Sequence, residues 1–186
     1  MKEHQNLFRD LQEDFRKMKK NLLVAQSGGP TAAINATLAG VIEQAMKEDV
    51  IDQVYGACYG IQGVLEQKFV NLTEKVDTKE KLEKLRRTPA SALGSCRFKL
   101  KNIEEDDSQY QQIVDIFHEK NIGYFVYIGG NDSMDTVYKL SVYCEEHHID
   151  DIKVMGAPKT IDNDLWGTDM TFGFQSAVDI ATETID

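Results

Sequence analysis

Apolar residues follow two rhythms along this chain. Short unbroken runs, Leu22-Leu23-Val24-Ala25 and Tyr124-Phe125-Val126-Tyr127-Ile128, have the length and the branched or aromatic character of buried strands. Residues 21–26 and 124–128 are therefore read as strands, and residues 53–59 and 152–157 as two more. Between them, apolar positions recur at helical spacing: Ile34, Leu38, Val41, Ile42 and Met46; Tyr110, Ile113, Val114 and Phe117; Val137, Leu140 and Cys144. Asp107 is expected to open the second of these helices, Asn121-Ile122-Gly123 to end it, and Ser133 to cap the third. A highly charged stretch over 65–87 contains a solvated helix over 78–87, and Ala177, Ile180, Ala181 and Thr184 predict a last helix. The repeated order of strand, loop and helix predicts an α/β fold, a mainly parallel sheet flanked by helices. Such sheets bind ligands beyond the carboxyl ends of their strands.

The strand ends are where the unusual chemistry lies. The first strand runs into Ser27-Gly28-Gly29-Pro30-Thr31, and the strand at 124–128 into Gly129-Gly130-Asn131-Asp132-Ser133. A strand, a glycine turn and a helix start together offer backbone N–H groups to an anion, although one such turn alone is as readily a plain tight turn. Gly60-Ile61-Gln62-Gly63 reads as a tight loop. Residues 88–99 join small residues to two cations, Arg97 and Lys99; the alternatives are an ordinary surface loop and a loop that offers an arginine fork to phosphate oxygens. The strand at 152–157 meets Pro158, which keeps Ala157 extended. Lys159, Thr160, Ile161, Asp162, Asn163 and Asp164 follow, a cluster of cation, hydroxyl, amide and two carboxylates that folding alone does not require. Phosphoryl transfer does require it.

Composition narrows the classes. With 186 residues, 41% hydrophobic and 28% charged, the chain has material for one domain with a sizeable core. A net charge of -10 and a pI near 4.9 argue against non-specific nucleic-acid binding. Phosphate substrates remain compatible, because a few local cations outweigh the average. Cys58, Cys96 and Cys144 are odd in number and lack CxxC spacing, which speaks against structural zinc or a disulfide framework and for a reducing cytoplasm. Adjacent His147 and His148 point different ways on a helix and make no metal site, and His118 is read as structural or solvent-facing. No apolar run is long enough to span a bilayer, and the first twenty residues lack the apolar region of a signal peptide. Residues 1–20, with Leu7, Leu11, Phe15 and Met18 at helical spacing, are expected to form a helical extension without chemistry; Met18 is an alternative start.

Ser27-Gly28-Gly29, Leu93-Gly94-Ser95-Cys96-Arg97, Gly129-Gly130-Asn131-Asp132-Ser133, residues 158–164 and Gly167-Thr168-Asp169-Met170-Thr171-Phe172-Gly173-Phe174 occur in this order. In them the chain resembles the phosphofructokinase family over residues 21–186. The resemblance implies the Rossmann-like N-terminal domain of that fold, binding the phosphoryl donor. It implies Asp162 as the base that takes the proton of the sugar C1 hydroxyl, with Thr160, Ile161, Asp162 and Asp164 along the sugar phosphate. Gly28, Gly29, Arg97, Gly130 and Ser133 would border the donor phosphates. Asp132 and Lys159 stand where ATP-using members usually carry glycine, and they look like the pyrophosphate-dependent branch. An aspartate there places like charge where a nucleotide α-phosphate would lie, and a lysine supplies attraction to the transferring or leaving phosphate.

The implied reaction is magnesium-dependent transfer from pyrophosphate to fructose 6-phosphate, giving fructose 1,6-bisphosphate; the alternatives are an ATP-dependent enzyme and a catalytically incomplete phosphate-binding fragment. Magnesium would rest on the phosphates with Asn131 and Asp132. Asn131 departs from the family's usual aspartate, and a neutral amide oxygen is the weaker ligand for a hard cation. The family's further sugar-binding segment is not in this sequence, so the chain is expected to be the donor half of a longer, homo-oligomeric cytoplasmic enzyme.

Overall fold

The apolar runs pair into one sheet. The computed structural model describes residues 19–185. In chain order it contains β1 (Lys20–Gln26), α1 (Ile34–Ala45), β2 (Ile51–Ala57), α2 (Gly60–Leu65), β3 (Phe69–Asn71), α3 (Leu72–Lys75), α4 (Lys79–Arg87), α5 (Ser108–Glu119), β4 (Ile122–Gly129), α6 (Asn131–Glu146), β5 (Lys153–Pro158) and α7 (Phe174–Ile185). The proposed helix at the amino terminus lies outside the described residues for all but its last positions, where Lys20 already opens β1.

The strands lie side by side as β3-β2-β1-β4-β5, with β1, β2, β4 and β5 parallel. Central β1 is buried on both faces, as its unbroken apolar run requires. Leu23 and Ala25 join Phe125, Tyr127, Ile113, Phe117, Leu140 and Tyr143 in one core. Leu22 and Val24 point the other way, into a core with Ile34, Leu38, Ile42 and Val54. The sheet is thus covered by helices on both faces, as the alternation of strands and helices predicts. From β1 the chain crosses to β2 on one side, whereas β4 leads to β5 on the other. The crevice between β1 and β4 is therefore a topological switch point, where the connections diverge and leave room for a ligand.

Several local expectations give way. β3 is a strand inside the charged stretch, antiparallel to β2, with only three half-buried residues and so no pattern to announce it. Residues 60–63 are helix, not a tight loop: Tyr59 turns left-handed (φ 66°) and α2 starts at Gly60. A Cβ on Gly63 would lie 1.6 Å from the Cys58 carbonyl oxygen, so that glycine serves close packing rather than a turn. β2 runs from Ile51 to Ala57 and stops before Tyr59. Met46 caps the carboxyl end of α1 and is exposed rather than part of its buried stripe. Ser133 is not a cap. Extended Gly130 occupies that position, α6 begins at Asn131, and Ser133 turns inward and is buried. Asp107 does stand at the head of α5, and Asn121 turns left-handed after it. His118 meets Asp151 at 3.2 Å on the surface.

Candidate functional site

Three strand ends converge because their backbones bond to one another. The Ser27 amide donates to the Ile128 carbonyl (2.8 Å), and the Lys159 amide to that of Gly129 (2.7 Å). Gly28 has φ 79°, and a Cβ on it would lie 3.2 Å from the Gly130 nitrogen. The first glycine turn thus lies against the second. A Cβ on Gly129 would fall 2.2 Å from Ser133 Oγ and 3.1 Å from the Ser27 carbonyl oxygen. A fourth segment, residues 94–99, closes the wall: Ser95 Oγ donates to the Gly28 carbonyl (2.7 Å) and Ser27 Oγ to that of Cys96 (3.0 Å).

Between these segments lies a cleft of about 800 Å³, over the switch point. Gly28, Gly29, Arg97, Gly130, Asn131, Asp132 and Ser133 all line it. α6 points its first turn into the cleft without a side-chain cap, which leaves N–H groups and the positive end of the helix dipole available to an anion. Arg97 and Lys99 stand exposed on the opposite wall. Lys99 Nζ reaches the Asp132 carboxylate at 2.8 Å, and this bond raises the Lys99 pKa. Tyr127, buried at the floor, accepts a hydrogen bond from the Ile61 amide (3.2 Å) while burial raises its pKa.

The loop after β5 lies beside the cleft. Lys159 is 8% exposed and turns back under the glycine turn, where Nζ donates to the Gly29 carbonyl. Burial lowers its pKa, against the opposing charge of Asp162. Thr160 and Asp164 face each other, Thr160 Oγ1 donating to the Asp164 carboxylate (3.1 Å) and accepting from the Asp162 amide (3.1 Å). Asn131 Nδ2 donates to the other Asp164 oxygen (2.7 Å), so α6 and the β5 loop are joined directly. The Asn131 and Thr160 hydrogen bonds hold the Asp164 carboxyl below the usual carboxylate range. Asp162 and Ile161 are exposed. Left-handed Asn163 (φ 56°) accepts from the Thr171 amide (2.8 Å) and fixes the turn that follows.

The cleft residues and the adjoining loop are thus named by the sequence, but their contacts are not: the Lys99–Asp132 pair and the bonds of Ser27 and Ser95 to neighbouring carbonyls depend on the fold. Tyr127 reads simply as strand core. As for a metal, no group of three or more His, Cys, Asp or Glu is placed to hold one among the described residues. Asn131, Asp132 and Asp164 offer one amide and two carboxylate side chains. That set suits a magnesium ion carried in on phosphates and completed by water, not an ion caged by protein alone.

A sequence profile of the family described as phosphofructokinase matches residues 21–186. The chain is 43% identical over 168 residues to the pyrophosphate–fructose 6-phosphate 1-phosphotransferase of Halomonas elongata, covering 89% of this chain and 39% of that protein. It is 34% identical over 166 residues to the ATP-dependent 6-phosphofructokinase 3 of Bacteroides thetaiotaomicron, covering 88% of this chain and 46% of that one. Among solved structures, the pyrophosphate-dependent phosphofructokinase of Marinobacter aquaeolei superposes with a TM-score of 0.74 at 40% identity, over 89% of this chain and 40% of that one. The chain spans less than half the length of these relatives. With a cleft at the switch point, glycine turns on two of its walls and a profile that matches nearly every described residue, this chain belongs to the phosphofructokinase family.

Proposed function

We propose that this chain forms the donor side of an enzyme that moves a phosphoryl group from pyrophosphate to the C1 hydroxyl of fructose 6-phosphate. The observation that carries the reading is Lys159. Its ammonium is brought from the β5 loop to the Gly29 carbonyl, beside the cleft that Asp132 lines. A buried cation next to the cleft supplies positive charge to a transferring or leaving phosphate. Asp132 at the rim puts negative charge where a longer donor would extend.

In this reading the glycine turns and the first turn of α6 hold the donor by backbone N–H groups, and Arg97 approaches from the facing wall. Thr160 and Asp164 orient the loop so that Asp162 meets the sugar hydroxyl. Asp162 takes the C1 proton as O1 bonds to phosphorus and the bridging P–O bond breaks, releasing phosphate; Lys159 balances charge on the departing group. Reversal returns the proton from Asp162. Magnesium, when bound, neutralises phosphate charge, and Asn131, Asp132 and Asp164 are the side chains with oxygens to offer it. Three free cysteines and an acidic surface suit a cytoplasmic protein, and assembly into homo-oligomers is part of the proposal. Among the described residues, no helix is long and apolar enough to cross a membrane.

The test is calorimetric titration of the chain with pyrophosphate and with ATP, each with magnesium, followed by turnover of fructose 6-phosphate by the longer enzyme that contains these residues. Pyrophosphate binds the chain and supports turnover, and Asp162→Asn abolishes turnover while leaving pyrophosphate binding intact. A chain that binds ATP and ignores pyrophosphate overturns the donor assignment.

A further inference from the structure

Two amide side chains next to the cleft are wholly shut off from solvent. Gln26 ends β1, and Asn35 lies in the first turn of α1; both are 0% exposed. Gln26 Nε2 donates to the Ile34 carbonyl (3.2 Å) and to Asn35 Oδ1 (3.0 Å). The remaining bonds leave for one segment. Gln26 Oε1 accepts from the Leu93 amide (2.9 Å) and from Ser91 Oγ (3.0 Å). Asn35 Oδ1 accepts from the Ala92 amide (3.0 Å), and Asn35 Nδ2 donates to the Thr88 carbonyl (2.9 Å).

Residues 88–93 contain neither helix nor strand, so they have no backbone ladder to satisfy their N–H and C=O groups. The two amides do this work from below, in a dry setting where each bond is strong and each lost partner is costly. Leu93 anchors the same stretch in the core beside Ile34 and Leu38. The chain then continues without regular structure through Ser95, bonded to the Gly28 carbonyl, to Arg97 and Lys99 on the cleft wall. Neither cation has a helix or strand of its own to fix it. Their place across from the Gly130 turn depends on residues 88–95, together with the Ser27 bond to the Cys96 carbonyl and the Lys99–Asp132 pair.

We infer that Gln26 and Asn35 are positioning residues for the donor phosphates, acting through the segment that carries Arg97 and Lys99. The inference rests on reading the cleft as a pyrophosphate site. A merely structural pair would lower stability and leave the affinity of the folded chain unchanged. A positioning pair changes affinity, and does so through Arg97.

The experiment is calorimetric titration of the 186-residue chain with magnesium pyrophosphate, in wild type, Ser91→Ala, Gln26→Met, Arg97→Ala and the Gln26→Met/Arg97→Ala double variant. Circular dichroism establishes folding, and mass spectrometry follows the labelling rate of the Cys96 thiol. Gln26→Met weakens pyrophosphate binding about tenfold and Ser91→Ala about threefold, the scale of one or two lost buried hydrogen bonds. In the Arg97→Ala background the Gln26 change costs less than about twofold, because contacting or shared-network residues do not add. Folded variants that bind as wild type does, or equal Gln26→Met losses in both backgrounds, overturn the inference. If Gln26→Met does not fold, Ser91→Ala decides the first question alone, since it leaves both buried amides in place and removes only the Ser91 hydroxyl, with its contacts to Gln26 Oε1 and to the Gly94 carbonyl. If wild type binds no pyrophosphate, the reading of the cleft falls. Faster Cys96 labelling in the variants would then still support the locking of residues 88–95, and unchanged labelling would overturn that too.

Discussion

The two flanks of the β5 loop are built in opposite ways. On its inner flank, towards β1 and β4, every segment is tied to another: Ser27 to Cys96, Ser95 to Gly28, Lys159 to Gly29 and Gly129, Asn131 to Asp164. On its outer flank Trp166 is 100% exposed, Met170 and Phe172 are more than half exposed, and α7 buries no residue. The cleft is therefore organised by bonds within this chain, whereas the outer flank hangs mainly on Asn163 and its bond to Thr171. Residues that are proposed to meet the donor belong to the first flank, and Asp162 sits where the two meet.

The sharpest way to break this contrast is to empty the packed side. Phe125 is fully buried, with its ring centroid 5.3 Å from that of Phe117 and 5.7 Å from that of Tyr127. Phe125→Ala is expected to cost about 3–5 kcal/mol in urea unfolding. Ile180→Ala on α7 should stay within about 0.5 kcal/mol. Similar costs for the two would erase the distinction.

Next in size is Gly129→Ala. The added methyl collides with Ser133 and crowds the Ser27 carbonyl, so stability should fall by about 1–3 kcal/mol and pyrophosphate affinity with it. Full affinity in a stable variant would show that the turns need not touch.

Lys159 gives a smaller effect with a definite pH signature. Its folded pKa is lowered by burial, so between that value and the ordinary 10.5 the unfolded chain binds more protons. Stability contributed by this group therefore rises as pH climbs through that window. Lys159→Met should be more stable than wild type at neutral pH, and the advantage should shrink towards pH 10.5, as followed by thermal unfolding. An advantage that stays constant across the window would place the ammonium in water rather than under the turn.

The smallest effect belongs to Lys99→Ala. Lys99 and Asp132 are both largely exposed, so losing their ion pair should change stability by less than ~1 kcal/mol, and less again at high salt. A larger loss in salt-titrated unfolding would make the cleft rim part of the rigid flank.

How much of this could be read from the chain depended on whether a residue's partners were near it in sequence. β1 and β4 were plain, because a buried parallel strand is an unbroken apolar run. β5 was found by its apolar letters and by Pro158, but the buried strand expected there is an edge strand, and none of its residues from Lys153 to Pro158 is buried. The glycine turns and residues 158–164 were plain because unusual chemistry follows directly on those runs. β3 was hidden by its shortness, and Ser133 misled because extended Gly130 starts the helix before it. The switch point was invisible, since strand order is set by which side each crossover takes. Gln26 read as the polar end of a strand; its importance lies in Ser91 and Leu93, which only the folded chain brings to it.

The pairing of β1 also bears on how the protein is made. Leu22 pairs with Val54 on one side but with Tyr124 on the other. At a synthesis rate of ~5–20 residues per second, β1 waits roughly 5–20 s for its second neighbour. During that interval Leu22-Leu23-Val24-Ala25 presents an unpaired apolar edge to the ribosome exit and to any chaperone there. The cleft cannot exist before β4 docks, and Lys159 emerges later still. Nascent chains stalled before residue 122 should stay aggregation-prone, and those released beyond β5 should not.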